Sequence, residues 1–141
     1  MYTTSFRGLL AYRVARDLSR TIFEKTKQFP KAETYALTDQ IRRSSRSIGA
    51  QIAEAWAKRR YEKHFISKLT DADGEQLETQ HWIETAVDCG YWSHEEASKL
   101  LSECQRIGQL IGGMIAKSEK FCDPKKSLKE PPVEYFVNSE P

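Results

Sequence analysis

Residues Leu37–Arg60 read LTDQIRRSSRSIGAQIAEAWAKRR. Leu37, Ile41, Ser44, Ile48, Ile52 and Ala55 recur at steps of three and four, the spacing that lines one face of an α-helix. Ser44, Ser45, Gly49, Ala50 and Ala53 sit on or beside that face. Small side chains let a neighbouring helix axis come in toward the low end of the usual ~8–10 Å. The flanks are basic, with Arg42, Arg43 and Arg46 early and Lys58, Arg59 and Arg60 late. The stretch predicts a central helix with a tight packing seam and a cationic skin.

Working outward, the chain yields three more helices. Leu10, Val14, Leu18 and Ile22 are spaced by four and place a first helix at about 5–28. Phe29–Pro30 ends it, because a residue before proline is pushed out of the α region. Pro30 then opens the second helix, at about 31–58. No glycine or proline lies between Gly49 and Gly74, so the next reversal is poorly marked. The charge-dense Lys58–His64, KRRYEKH, is where we expect it. A third helix follows at about 62–89, its apolar side supplied less regularly by Phe65, Leu69, Ala72, Leu77, Ile83 and Ala86. Gly74 inside it costs about 1 kcal/mol against Ala and predicts a packing reason. Gly90 stops it. Ser93 with Glu96 is a capping box and opens a fourth helix at about 94–119. Its stripe includes Ala97, Leu100, Cys104, Ile107, Ile111 and Met114. Short links between four helices imply an all-α, antiparallel up-down-up-down four-helix bundle, a single domain over 1–122.

Residues 123–141 form a C-terminal tail for which we expect poor order. Val133, Tyr135, Phe136 and Val137 are nevertheless apolar, and dock either on the protein itself or on a neighbour. No β pattern is found.

The 141 residues carry a net charge of +2, so the global charge identifies no partner. Cys89, Cys104 and Cys122 form no C-x-x-C pair and read as reduced thiols. No secretory signal is read at the N-terminus, and Ile107–Ala116 is shorter than the ~20 apolar residues of a membrane span. We expect a cytoplasmic protein with no membrane partner.

QIRRSSRSIGAQIAEA at Gln40–Ala55 and FISKLTDADGEQLETQHWIETAVDCGY at Phe65–Tyr91, after Phe29–Pro30 and Glu33, are similar to a bacterial family. The chain over about 6–118 resembles the 23S ribosomal RNA intervening-sequence proteins. More distantly it resembles the accessory variability determinant protein of diversity-generating retroelements. It departs from the pattern at Gln51-Ile52-Ala53-Glu54-Ala55, where members commonly read N-I-A-E-G. The resemblance implies a four-helix bundle, often a homopentamer, with no established enzyme activity. For the retroelement relatives it implies binding of nucleic acid and of a reverse transcriptase. Arg42, Arg43, Ser47 and Glu54 fall on its patterned positions.

Local charge is more informative than the total. Between Gln40 and Thr70 eight Lys or Arg stand against two acids, while Asp71–Asp88 holds six acids and no Lys or Arg. One reading is a phosphate-binding surface of Arg42, Arg43, Arg46, Lys58, Arg59, Arg60 and Lys63, with Trp56, Tyr61 and Phe65 able to stack on bases. The other is pairing of basic and acidic zones between helices or subunits, which sets register more than stability. Glu54 beside the small-residue seam predicts a structural ion pair with Arg42, Arg43 or Arg46. Trp82 is a candidate oligomer interface residue. Glu78-x-x-His81 is half of a di-metal bundle signature, too little to assign a metal or any cofactor. No nucleophile–base pair and no phosphate loop can be assembled. The sequence therefore predicts a non-enzymatic homo-oligomeric bundle that binds nucleic acid, RNA or DNA, or a ribonucleoprotein through its basic surface. A protein-binding scaffold is the alternative, and a metal-dependent enzyme the remote one.

Overall fold

The computed structural model describes residues 5–122 and 133–137. Four α-helices carry the fold: α1 Leu10–Thr26, α2 Asp39–Ala57, α3 Glu62–Asp88 and α4 His94–Ala116. They are an all-α, up-down-up-down bundle. α1 packs on α2, α2 on α3, α3 on α4, and α4 closes back on α1. The chain enters α2 through a 3₁₀ turn at Lys31–Glu33, for which Pro30 is the cap, and a wider π turn at Thr34–Thr38. The reversal between α2 and α3 takes only Lys58–Tyr61. Gly90 has φ +79°, a left-handed conformation that suits glycine at a helix end. Ser93 Oγ accepts from Glu96 N, and Glu96 Oε1 accepts from Ser93 N, both at 3.1 Å. The capping box is thus complete.

All six residues of the predicted α2 face, Leu37, Ile41, Ser44, Ile48, Ile52 and Ala55, are buried. Fully burying an aliphatic side chain contributes roughly 1.5–3 kcal/mol, so this one face accounts for a large share of the core. The small residues divide between two neighbours. Ser44 faces α3, where the Thr79 hydroxyl donates to its Oγ at 2.9 Å. Gly49 faces α1, where an added Cβ would lie 3.4 Å from the Tyr12 ring.

α3 explains its own irregular periodicity. Its buried residues include Gln76 and Thr79, while Leu77, expected in the core, is 55% exposed. Gln76 is satisfied within α3: its Nε2 donates to Asp73 Oδ1 at 2.9 Å, and its Oε1 accepts from Gln80 Nε2 at 2.8 Å. The close approach belongs to Gly108 of α4, where a Cβ would sit 2.9 Å from Gln76 Nε2. Gly74 has no such reason, for nothing lies within 4 Å of its Cβ position.

One end of the bundle is closed by Trp92 and Tyr91 against Phe29, at ring-centroid distances of 5.0 and 5.3 Å. The other is closed by the C-terminal segment, which docks on the protein's own surface. Val137 N donates to Gly8 O at 2.7 Å, Phe136 forms an antiparallel bridge with Leu9, and Lys117 pairs with Glu134 at 2.7 Å. Phe136 meets Trp56 edge-on, and Tyr135 lies across Gly113, where a Cβ would be 2.7 Å from its hydroxyl. The expectation of poor order at 123–132 and 138–141 lies outside the described residues. Cys104 is buried in the core, which pushes its thiol up to about 12.

Two substitutions test this packing. Ser44→Leu overfills the α2–α3 seam and should lower the urea-unfolding free energy by roughly 1–3 kcal/mol. Gly113→Val should evict Tyr135, so that limited proteolysis cleaves the C-terminal segment faster while far-UV circular dichroism stays that of an intact bundle.

Candidate functional site

The seven cations that the sequence groups together are sorted by the fold into three environments. Arg42 and Arg43 face neighbouring helices and are engaged there. Arg42 Nε donates to Thr26 Oγ1 at 2.8 Å, and its guanidinium lies 4.7 Å from the Phe23 ring centroid of α1. Arg43 reaches α3, where it is clasped by Glu78 and lies 3.5 Å from Glu75 Oε1. That second contact is ionic only, since Glu75 Oε1 has no hydrogen-bond partner. Glu78 raises the Arg43 pKa above its usual value, chiefly through the hydrogen bond. Arg42 is partly buried and Arg43 about half exposed, and both are already engaged by neighbouring helices, unlike the open cations at the turn. Their rows on α2 border α1 and α3, which supply those partners.

Arg46 occupies the second environment, a groove between α1 and α2. The groove has a volume of about 720 Å³. Its α1 wall is the stripe Tyr12, Arg16, Ser19, Arg20 and Phe23, and its α2 floor is Gly49, Ala50 and Ala53. Arg46 lies 5.4 Å from the Phe23 centroid. Arg16 donates to the Tyr12 hydroxyl at 3.1 Å. The α1 residues were missed by reading the sequence, although their spacing of three and four was a usable signal.

Lys58, Arg59, Arg60 and Lys63 make the third environment, at the α2–α3 turn. Arg59 is pinned: its guanidinium stacks 3.6 Å from the Trp56 centroid and its Nε donates to Trp56 O at 3.0 Å. Partial burial pulls its pKa below the usual arginine value. Lys58, Arg60 and Lys63 are exposed and have no acidic partner among the described residues. Tyr61, 58% exposed, stands between them with His64 at 5.5 Å.

Glu54 forms an ion pair, but with Lys68 of α3 at 2.9 Å rather than with an arginine. It is about half exposed, so it is not the buried charge that its small neighbours suggested. Trp82 is half-buried against the core and its indole N–H donates to Glu78 Oε2 at 3.0 Å. Glu78 is thus committed to Trp82 and Arg43, and His81 packs edge-on against Trp82. Among the described residues no group of three His, Cys, Asp or Glu side chains comes together to hold a metal ion. Among the described residues no helix is long and apolar enough to cross a membrane.

The fold and surface define a four-helix bundle with cations concentrated at one turn and in one inter-helix groove. Residues 7–113 match the 23S rRNA-intervening sequence protein family, and the chain belongs to that family. A crystal structure of a protein of unknown function from the S23 ribosomal protein family, from Bacteroides thetaiotaomicron, has the same fold with a TM-score of 0.66. It is 25% identical, and the match covers 75% of this chain and 98% of that one. No curated protein matches the chain. Neither the family nor the solved neighbour indicates an enzymatic activity.

The Glu78 contacts predict a pH dependence. Its carboxylate is held below its usual value, first by the Trp82 N–H and then by Arg43, against the opposing effect of burial. A depressed folded pKa adds stability that is present above the unfolded value of about 4.3 and is lost as pH falls through the folded value. The group is about one-third exposed, so solvent screening limits the contribution to roughly 1 kcal/mol or less. Glu78→Gln should be less stable than the parent in urea at neutral pH, and the gap should close below the folded pKa.

Proposed function

We propose that this protein is a non-enzymatic, self-associating cytoplasmic bundle that binds the phosphodiester backbone of nucleic acid at its α2–α3 turn. The observation that supports this most is Lys63. Cations at the end of a helix are favoured by its dipole by about 0.3–1 kcal/mol, which suffices to explain Lys58 and Arg59 at the end of α2. Lys63 lies in the first turn of α3, where the same dipole opposes a cation. Its exposed charge forms no ion pair among the described residues, although Glu62 shares that first turn, and a bound anion would offset the dipole. Tyr61 adds an open ring on which a base can stack. Lys58, Arg60 and Lys63 neutralise phosphates, and the pinned Arg59 guanidinium keeps a fixed position among them. Recognition of this kind depends on charge and is largely independent of sequence.

A second reading rests on a different observation. Leu77 is exposed on α3, and Glu84 and Asp88 of the same helix are exposed with no basic partner among the described residues. An apolar side chain on an acidic face suits contact with a second copy, in a ring such as a homopentamer. Light scattering on nuclease-treated protein gives the solution mass that decides it; a monomer discards this reading.

For the turn, titration of labelled RNA and DNA should show a log–log salt slope of about −0.7 to −0.9 for each phosphate neutralised. Lys58→Glu with Arg60→Glu and Lys63→Glu should weaken binding at least about tenfold and flatten the slope by roughly 2–3. Unchanged affinity in this variant rejects the turn as the binding surface.

A further inference from the structure

The α1–α2 groove carries chemistry that the turn does not use. Its walls hold three arginines, Arg16, Arg20 and Arg46, against one acid, Glu24. Arg20 is paired with Asp17 at 3.0 Å, and Glu24 with Lys27 at 3.2 Å. Arg16 and Arg46 have no carboxylate partner among the described residues and are held by aromatic side chains instead. Phe23 gathers Arg42 and Arg46, at 4.7 and 5.4 Å from its ring centroid, with no acid bridging them. Like charges collected around one ring repel, and an entering anion relieves that repulsion.

The floor decides what kind of anion fits. Gly49 is covered by the Tyr12 ring, while Ala50 and Ala53 extend no side chain beyond Cβ, so the groove has a shallow apolar shelf bounded by Tyr12 and Phe6. Its volume lies within the ~300–1,000 Å³ of ordinary ligand sites. A stable protein contact would need bulky apolar anchors. The large exposed apolar side chains among the described residues are Tyr35, Tyr61 and Leu77, and none lines this groove. A flat shelf, flanking rings and unpaired guanidinium groups suit a ligand with planar faces and negative charge. The groove also leads to the turn: α1 runs antiparallel to α2, so Phe6 lies toward the end of α2, and Ala53 is about 7.5 Å along the helix from Lys58 at ~1.5 Å per residue.

We propose that the α1–α2 groove binds a single-stranded segment of nucleic acid, with a base on the Ala50–Ala53 shelf beside Tyr12 and phosphates on Arg16 and Arg46. This rests on the nucleic-acid reading of the turn and adds a preference to it. A duplex presents only its backbone and is held by the turn alone, whereas an unpaired strand continues into the groove.

The test uses the full-length chain with a labelled mixed-sequence RNA strand and an RNA duplex of equal length. Ala50 is exposed, so Ala50→Trp fills the shelf without altering charge or core. It should weaken the single strand about tenfold and leave the duplex unchanged. Arg16→Gln with Arg46→Gln should do the same and flatten the salt slope for the single strand alone. If both variants bind the single strand like the parent while the triple turn variant loses both RNAs, the groove assignment is overturned and the turn stands. If the parent binds neither RNA at low salt, the turn reading falls and the groove with it. If Ala50→Trp changes the solution mass, the groove is a contact between copies and the assignment is overturned.

Discussion

The bundle depends on the narrow seam between α2 and α3, where two hydroxyls, Ser44 and Thr79, meet at 2.9 Å in the interior. A pair of small polar side chains holds two helices closer than leucines would, and each hydroxyl is satisfied, so neither incurs the cost of an unpaired buried group. Close approach on that side brings Arg43 within reach of Glu75 and Glu78, and Glu54 within reach of Lys68. The seam therefore fixes not only the core but which charges cancel. Exposed pairs of this kind contribute ~0–1 kcal/mol each, less than one buried isoleucine at roughly 1.5–3 kcal/mol. Their effect lies in register and in surface potential.

Charge cancellation follows helix adjacency. Cations on the α2 rows that meet α1 or α3 are taken up by Phe23, Thr26, Glu75 and Glu78. At the turn Arg59 is held by Trp56, while Lys58, Arg60 and Lys63 stay open to solvent. The result is a near-neutral molecule with an electropositive end, which is the property that matters for attracting a polyanion.

The C-terminal segment completes that end. Phe136 covers one side of Trp56 while Arg59 stacks on the ring, so the indole lies between the docked segment and the cationic turn. This segment lies beyond the region matched to the family, and Gly113 is the residue whose missing side chain gives Tyr135 its place.

Most of the fold was legible along the chain because helical periodicity is local: residues three and four apart share a face whatever surrounds them. That sufficed for the α2 face, the Ser93–Glu96 cap and the Gly90 stop. It failed at Leu77 and Gly74, because α3 buries Gln76 and Thr79, and a hydropathy pattern assigns such polar residues to the outside. The cationic composition was equally plain, but not its sorting. Whether an arginine is displayed or engaged depends on what the adjacent helix presents at that height, a relation between residues 16 to 35 positions apart. Sequence alone thus determined the helices, their inward faces and the presence of excess positive charge. Only the tertiary structure decided that Arg42 and Arg43 are spent on neighbours, that Glu54 belongs to Lys68, and that Arg46 joins α1 in a groove, because partners are chosen by register across the seams.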